Sequence, residues 1–285
     1  MEAPMGWVSV LAAACLCVVS AAMISASASD LLSRMVDDRH WRLVMAVGIP
    51  CSAIVSAAEV SASSAALMAL SSAFMAAHAL SERVPGHVSL AASGLLCIAS
   101  YASAAGDPRG WTLLAPFASS VLFLAMYHAR LLAGGADAKA LIAVSMVPQY
   151  PCVPGLPLVW DAGWPLSVLP LSVSALVLAV ILSLVPMVFL GFRNAATGFR
   201  CARMFTEYRM PLERARTSFV WLAEDVEGGV VVHRRVMDDE AGAYSRLEDA
   251  GMAEVSVTPM VPFVVFITAG MLVALVLGNP LFAAM

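Results

Sequence analysis

The sequence predicts an all-α fold: a polytopic membrane helical bundle of about eight spans, with a small cytosolic α+β insertion before the last span. Three observations predict it. Of the 285 residues, 61% are hydrophobic and only 13% charged; mean hydropathy is +0.85, whereas about a quarter of a soluble domain is charged. The charges divide the chain into apolar runs of the length that crosses a bilayer, about 20 residues for a ~30 Å hydrocarbon core. One long polar segment interrupts the pattern shortly before the end. The net charge of −4 points neither to nucleic acid nor to an acidic ligand.

The uncharged runs are 3–29, 43–58, 60–81, 84–106, 110–129, 140–160, 162–192 and 255–285. The first reads as a retained span, because no Lys or Arg precedes it and it exceeds the roughly 7–15 residues of a signal h-region. The run 43–58 is short, but Arg42 snorkels at one end and Glu59 marks a turn at the other, so 43–81 reads as a tight hairpin. Backbone polar groups find no water in lipid, so the spans are helices. Pro50 and Pro186 predict local kinks. With eight spans, Arg34, Arg39, Arg42, Arg83, Arg130 and Lys139 share one side and Arg109 stands on the other. The positive-inside rule makes the first side cytosolic and puts both termini outside.

The domain reading is a membrane bundle over 1–192, a cytosolic polar segment over 193–256 and a final transmembrane helix over 257–285. Between 193 and 254 stand nine Arg and eleven Asp or Glu, a mixed solvated face and not a polybasic lipid anchor. "FRCARMFTEYR" reads as a helix leaving the membrane. "GGVVVHRRV" and "AEVSVTP" read as short strands on either side of an acidic loop, "MDDEAGAYSRLEDAG". The six cysteines show no CxxC pair or zinc spacing and read as structural thiols. His78, His87, His128 and His233 are scattered, and His40 stands beside Trp41. No metal and no cofactor is implied.

Two carboxylates share the cytosolic boundary: Asp30 directly after the first span, and Asp137 in the glycine-rich approach to the sixth, "GGADAKAL". A pair of converging carboxylates suits aspartic proteolysis. The ionised member takes a proton from water and the protonated one donates to the scissile carbonyl. Like charges at close range split their pKa values and so supply one base and one acid. Gly134 and Gly135 allow backbone to approach an extended substrate. The plainer alternatives stay open. Asp30 would N-cap a helix over "LLSRMVDD" and pair with Arg34, and Asp137 would cap the sixth span. Lys139 reads as a snorkelling interfacial lysine or a loop-supporting contact.

"SDLLSRMVDDRHW" resembles the first catalytic loop of the type IV prepilin peptidases, through Asp30, Arg34, Val36, Asp38 and Trp41. "GGADAKAL" is similar to that family's GxGD motif, with Gly134, Asp137 and Lys139 in place and Ala136 where the second glycine belongs. "VTPMVPFVVFITAGMLVALVLGN" is similar to the last span of the archaeal branch, the prepilin and preflagellin peptidases. The resemblance covers both loops (30–42 and 130–139) and the last span, and leaves 43–129 uncovered. It implies an aspartic endopeptidase in the plasma membrane of a prokaryote, an archaeon by this branch. Its substrates would be archaellin or pilin-like precursors with a basic leader and a hydrophobic helix, cut at the cytosolic boundary. Asp30 and Asp137 would be the dyad, supported by Arg34, Asp38, Gly134, Gly135, Ala136 and Lys139. The alternatives are a leader-binding homologue that cuts weakly, made thinkable by Ala136, and a small multi-span transporter or scaffold.

Overall fold

The computed structural model describes residues 6–81, 85–132, 134–149, 169–234 and 239–277. The chain forms two compact units, Met1–Val180 with Phe263–Met285, and Ile181–Pro262. The helices in chain order are α1 (Trp7–Ser33), α2 (Arg39–Glu59), α3 (Ala62–Leu80), α4 (Gly86–Ser103), α5 (Ala115–His128, entered through a 3₁₀ turn Gly110–Leu114), α6 (Gly135–Ser145), α7 (Leu171–Ala196), α8 (Leu212–Thr217), α9 (Glu240–Asp249) and α10 (Phe263–Leu277). The strands are β1 (Tyr208–Pro211), β2 (Val220–Leu222), β3 (Glu224–Glu227), β4 (Val230–His233) and β5 (Glu254–Pro259).

Each of the eight apolar runs holds a helix. Among the described residues, five helical segments are long and apolar enough to cross a membrane: Trp7–Ser33, Arg39–Glu59, Ala62–Leu80, Gly110–His128 and Leu171–Ala196. α4 is nearly as long but carries Ser89, Ser93, Ser100 and Ser103, and the apolar stretch Phe263–Val276 is shorter. The hairpin expected over 43–81 is α2 and α3. Their break falls at Val60–Ser61, where the Ser61 side chain accepts the Ser64 N–H and caps α3. Pro50 and Pro186 lie inside α2 and α7. The sixth run begins as α6, and the parts of the sixth and seventh runs between 150 and 168 lie outside the described residues. The last span starts later than its apolar run. Residues 254–259 are the strand β5 and the helix opens at Phe263, beyond Pro259 and Pro262.

Small and hydroxylic residues set how the membrane unit packs, as expected where lipid is as apolar as leucine. A Cβ on Gly48 would meet Val147 Cγ1 at 2.9 Å, and the Ser52 hydroxyl donates to the Met146 carbonyl at 2.9 Å. These contacts hold α2 against the end of α6. Gly270 of α10 faces the Ala175 carbonyl of α7 more closely than any side chain tolerates. Ser27 of α1 donates to Thr268 of α10 at 2.8 Å. Ser71 of α3 and Ser93 of α4 donate to each other's carbonyl at 2.8 Å. One core cluster joins buried residues of α1, α2, α6 and α10 with Met75, Phe123 and the start of α7; Val19, Met23, Trp41 and Ile267 are fully buried in it.

In the second unit β5 lies between β1 and β2, antiparallel to both. β3 and β4 form a hairpin whose turn residues, Gly228 and Gly229, both have positive φ (59° and 80°), as a two-residue primed turn requires. Met210, Leu222, Leu247, Val255 and Val257 make its core. Both strands expected here are present, as β4 and β5. Two other expectations are corrected. "FRCARMFTEYR" is a 3₁₀ turn, Ala202–Phe205, followed by β1, because α7 stops at Ala196 before Gly198 turns the backbone to φ 85°. The acidic loop contains α9, started by Asp239, whose side chain accepts the Gly242 N–H, and packed through Ala243 and Leu247 at helical spacing.

Candidate active site

Asp30 is in the last turn of α1, 9% exposed. Helical structure continues past it to Ser33, so it does not N-cap a following helix. The backbone N–H of Val264, in the first turn of α10, acts on its carboxyl. There the unsatisfied amides and the helix dipole favour an anion. Oδ2 of Asp30 is buried and has no hydrogen-bond partner among the described residues. Arg34 closes α1 in the left-handed conformation at φ 56°, its N–H on the Asp30 carbonyl at 3.1 Å, and its charge acts on the Asp30 carboxyl.

Asp137 occupies the first turn of α6. It is not the cap residue itself; Gly134 is, and Asp137 Oδ2 reaches back to accept the Gly134 N–H at 3.2 Å. The Asp30 and Asp137 carboxyls are near enough for the charge of Asp30 to act on Asp137. α2 and α10 both pack against α1 and against α6, so the same two helices hold the ends that carry the aspartates.

The glycines divide into one that is needed and one that is free. A Cβ on Gly134 would stand 2.7 Å from Asp137 Oδ2, whereas one on Gly135 would meet only the Tyr127 hydroxyl, at 3.8 Å. Ala136 lies inside α6 and is not among the residues with positive φ. The departure from GxGD therefore places no strain on the backbone here. Among the described residues the non-glycine positions with positive φ are Arg34 and Arg130, at 56° and 57°. Arg34 ends α1 and Arg130 follows α5, so each aspartate's loop has a left-handed arginine beside it.

Lys139, two residues beyond Asp137, does not point to open solvent. Its Nζ donates to both carboxylate oxygens of Asp38 at 2.8 Å, each side chain about one-third exposed (32% and 33%). Asp38 is the N-cap residue of α2 yet makes no capping bond with its side chain. Asp37 instead accepts the Arg39 N–H at 2.8 Å. His40 is a satisfied buried histidine, with Nδ1 on the Asp37 carbonyl and Nε2 on Ser25 Oγ. His78 is bonded to Gly86 and Ser89, and His233 to Glu207. No three His, Cys, Asp or Glu side chains gather in a metal-binding group among the described residues.

The arrangement is a pair of carboxyls at helix ends, Asp137 holding the Gly134 N–H and Asp30 lying under the influence of the Val264 N–H, with a buried Asp30 oxygen that has no partner among the described residues. It is suited to holding a water molecule and moving a proton to and from it. Sequence reasoning missed two contributors. The Val264 amide comes from a helix more than 200 residues away in the chain, and main-chain donors leave no residue-type signal. The left-handed turn at Arg130 was hidden because arginine is not a residue that signals positive φ.

Residues 200–279 match a family model described as Archaeal Peptidase A24 C-terminus Type II. The matched stretch runs from before β1 to the end of α10. It includes Val264 and neither aspartate. No curated protein sequence matches the chain.

Proposed function

We propose that this chain is a membrane aspartic endopeptidase of the archaeal prepilin and preflagellin type, a reading supported by its match over 200–279 to the archaeal A24 peptidase C-terminus. In this reading it removes short basic leaders from archaellin or pilin-like precursors at the cytosolic boundary. The observation that carries the reading is the pairing of Asp30 and Asp137 within electrostatic reach at adjoining helix ends.

The mechanism follows from one shared proton. The ionised carboxylate removes a proton from water as its oxygen attacks the scissile carbonyl carbon. The protonated carboxyl donates to the carbonyl oxygen, giving a neutral tetrahedral diol. Collapse breaks the C–N bond: the carboxyl that took the water proton gives it to the leaving amine, the other recovers a proton from a diol hydroxyl as the acid product forms, and the pair again holds one proton between two carboxyls. Burial opposes ionisation of the Asp30 carboxyl; the Arg34 charge and the α10 amide act against that cost, and on their account we assign Asp30 the base role. The helical backbone at Ala136, without positive φ, favours this reading over that of a leader-binding homologue that cuts weakly.

The test is cleavage of a precursor bearing a basic leader by the purified full chain in detergent, beside Asp30→Asn and Asp137→Asn. Wild-type cutting should fall at least about 1,000-fold in each variant, as loss of an acid–base partner commonly does. Cutting by either variant at the wild-type rate removes that aspartate from the mechanism. Failure of well-folded wild type to cut any leader removes the peptidase reading.

A further inference from the structure

We infer that Asp38 and Lys139 are positioning residues that act as one unit, a latch that holds the Asp137 turn against the Asp30 loop; the inference rests on the aspartic reading above. Lys139 is the only lysine in the chain. It is fixed at the start of α6, two positions after Asp137, and its Nζ lies 2.8 Å from both oxygens of Asp38, 101 residues earlier. An interfacial lysine placed only for its charge would extend toward water and leave Asp38 to cap α2. Instead Asp38 forgoes the capping bond expected of an aspartate at that position, and its neighbour Asp37 takes the Arg39 N–H.

The geometry explains what the pair does. α1 ends at Arg34 and α2 begins at Arg39, so the loop between them has one edge on the Asp30 helix. α6 starts at Gly135, so its first turn carries Asp137 and its second carries Lys139. The ion pair therefore ties the exit of the Asp30 helix to the first turns of the Asp137 helix. Neither side chain is needed to touch the substrate. Without the tie the two carboxyls no longer hold one separation, and a misplacement of about 1 Å costs on the order of 100-fold in rate.

The experiment uses the full chain in detergent with Asp38→Asn, Lys139→Met, the double variant and Lys139→Arg. On the leader-bearing precursor, each single loss should lower kcat about 10- to 100-fold with KM within about twofold. The double variant should be no worse than the poorer single, because both remove one interaction. Lys139→Arg keeps the charge and should restore most of the rate. In the same samples, hydrogen exchange of the amides over 134–141 should quicken in the Asn and Met variants and stay at the wild-type rate in Lys139→Arg.

Additive losses in the double variant, a change confined to KM, or unchanged exchange at 134–141 would each overturn the latch. If wild type cuts no leader, the aspartic reading fails on its own account. The exchange of 134–141 then still decides whether the pair holds the two loops together.

Discussion

Gly134 shows how much of the candidate site is decided by the space one atom occupies. Its φ is −107°, a value open to any residue, so its requirement is not conformational. It is steric: the Asp137 carboxylate fills the place of the missing Cβ. Gly134→Ala should therefore push the carboxylate off its amide and lower cleavage about 10- to 100-fold, whereas Gly135→Ala should leave it within about twofold and Ala136→Gly should gain nothing. A leader-cleavage assay on the three variants reads this directly, and an active Gly134→Ala protein would refute the packing account. At this scale the sequence was readable where a side chain announces its chemistry. Asp30 and Asp137 stood out as carboxylates at span ends, and the glycine approach to Asp137 marked a close contact. The Lys139 partner was not readable, because Asp38 lies in a loop whose fold depends on where α1 stops. That stop is set by a left-handed arginine, a conformation more usual for glycine or asparagine.

At the scale of elements, the position of α10 matters beyond its role as the last span. Its first turn brings the Val264 amide to Asp30, and its middle lies against α7 at Gly270, where the Ala175 carbonyl leaves no room for a Cβ. Gly270→Val should force α10 away from α7. Helix displacement from overpacking costs about 1–3 kcal/mol, and cleavage should fall by more than the loss of folded protein explains. Comparing rate per folded molecule, with folded protein counted by size exclusion in detergent, separates these effects. A variant that folds and cuts normally would show that α10 is only a span. The hairpin of α2 and α3 was legible because Glu59 interrupts an otherwise apolar stretch at the length one span needs. α9 was not. Its charge and glycines resemble a loop, and only Ala243 and Leu247, buried on one face, show the helical period.

For the whole molecule, the division into two units locates a response to acid in one of them. In the unit Ile181–Pro262, the buried Asp225 carboxylate accepts from Arg246 at 2.9 and 2.8 Å, and those bonds hold its pKa below the usual carboxylate range. A depressed folded pKa means stabilisation that is complete above the unfolded value of about 3.9 and is lost as pH falls through the folded value. Protection of β3 and α9 against hydrogen exchange, relative to the intrinsic rate at each pH, should thus fall below about pH 4 in the full chain, and Asp225→Asn should show the lowered protection already at pH 7. Equal protection of β3 and α9 at pH 3 and pH 7 would discount the Asp225 brace. The fold class was legible from hydropathy alone, since a bilayer admits few architectures. The start of the last helix was obscured because β5 is itself apolar enough to merge with the span that follows it. The reciprocal serine bonds between α3 and α4 bear on temperature. Attraction that depends on expelling water weakens in the cold, but the hydroxyl-to-carbonyl bonds that join α3 and α4 do not depend on it. The Ser71–Ser93 join should keep its grip on cooling, whatever becomes of the water-facing surfaces.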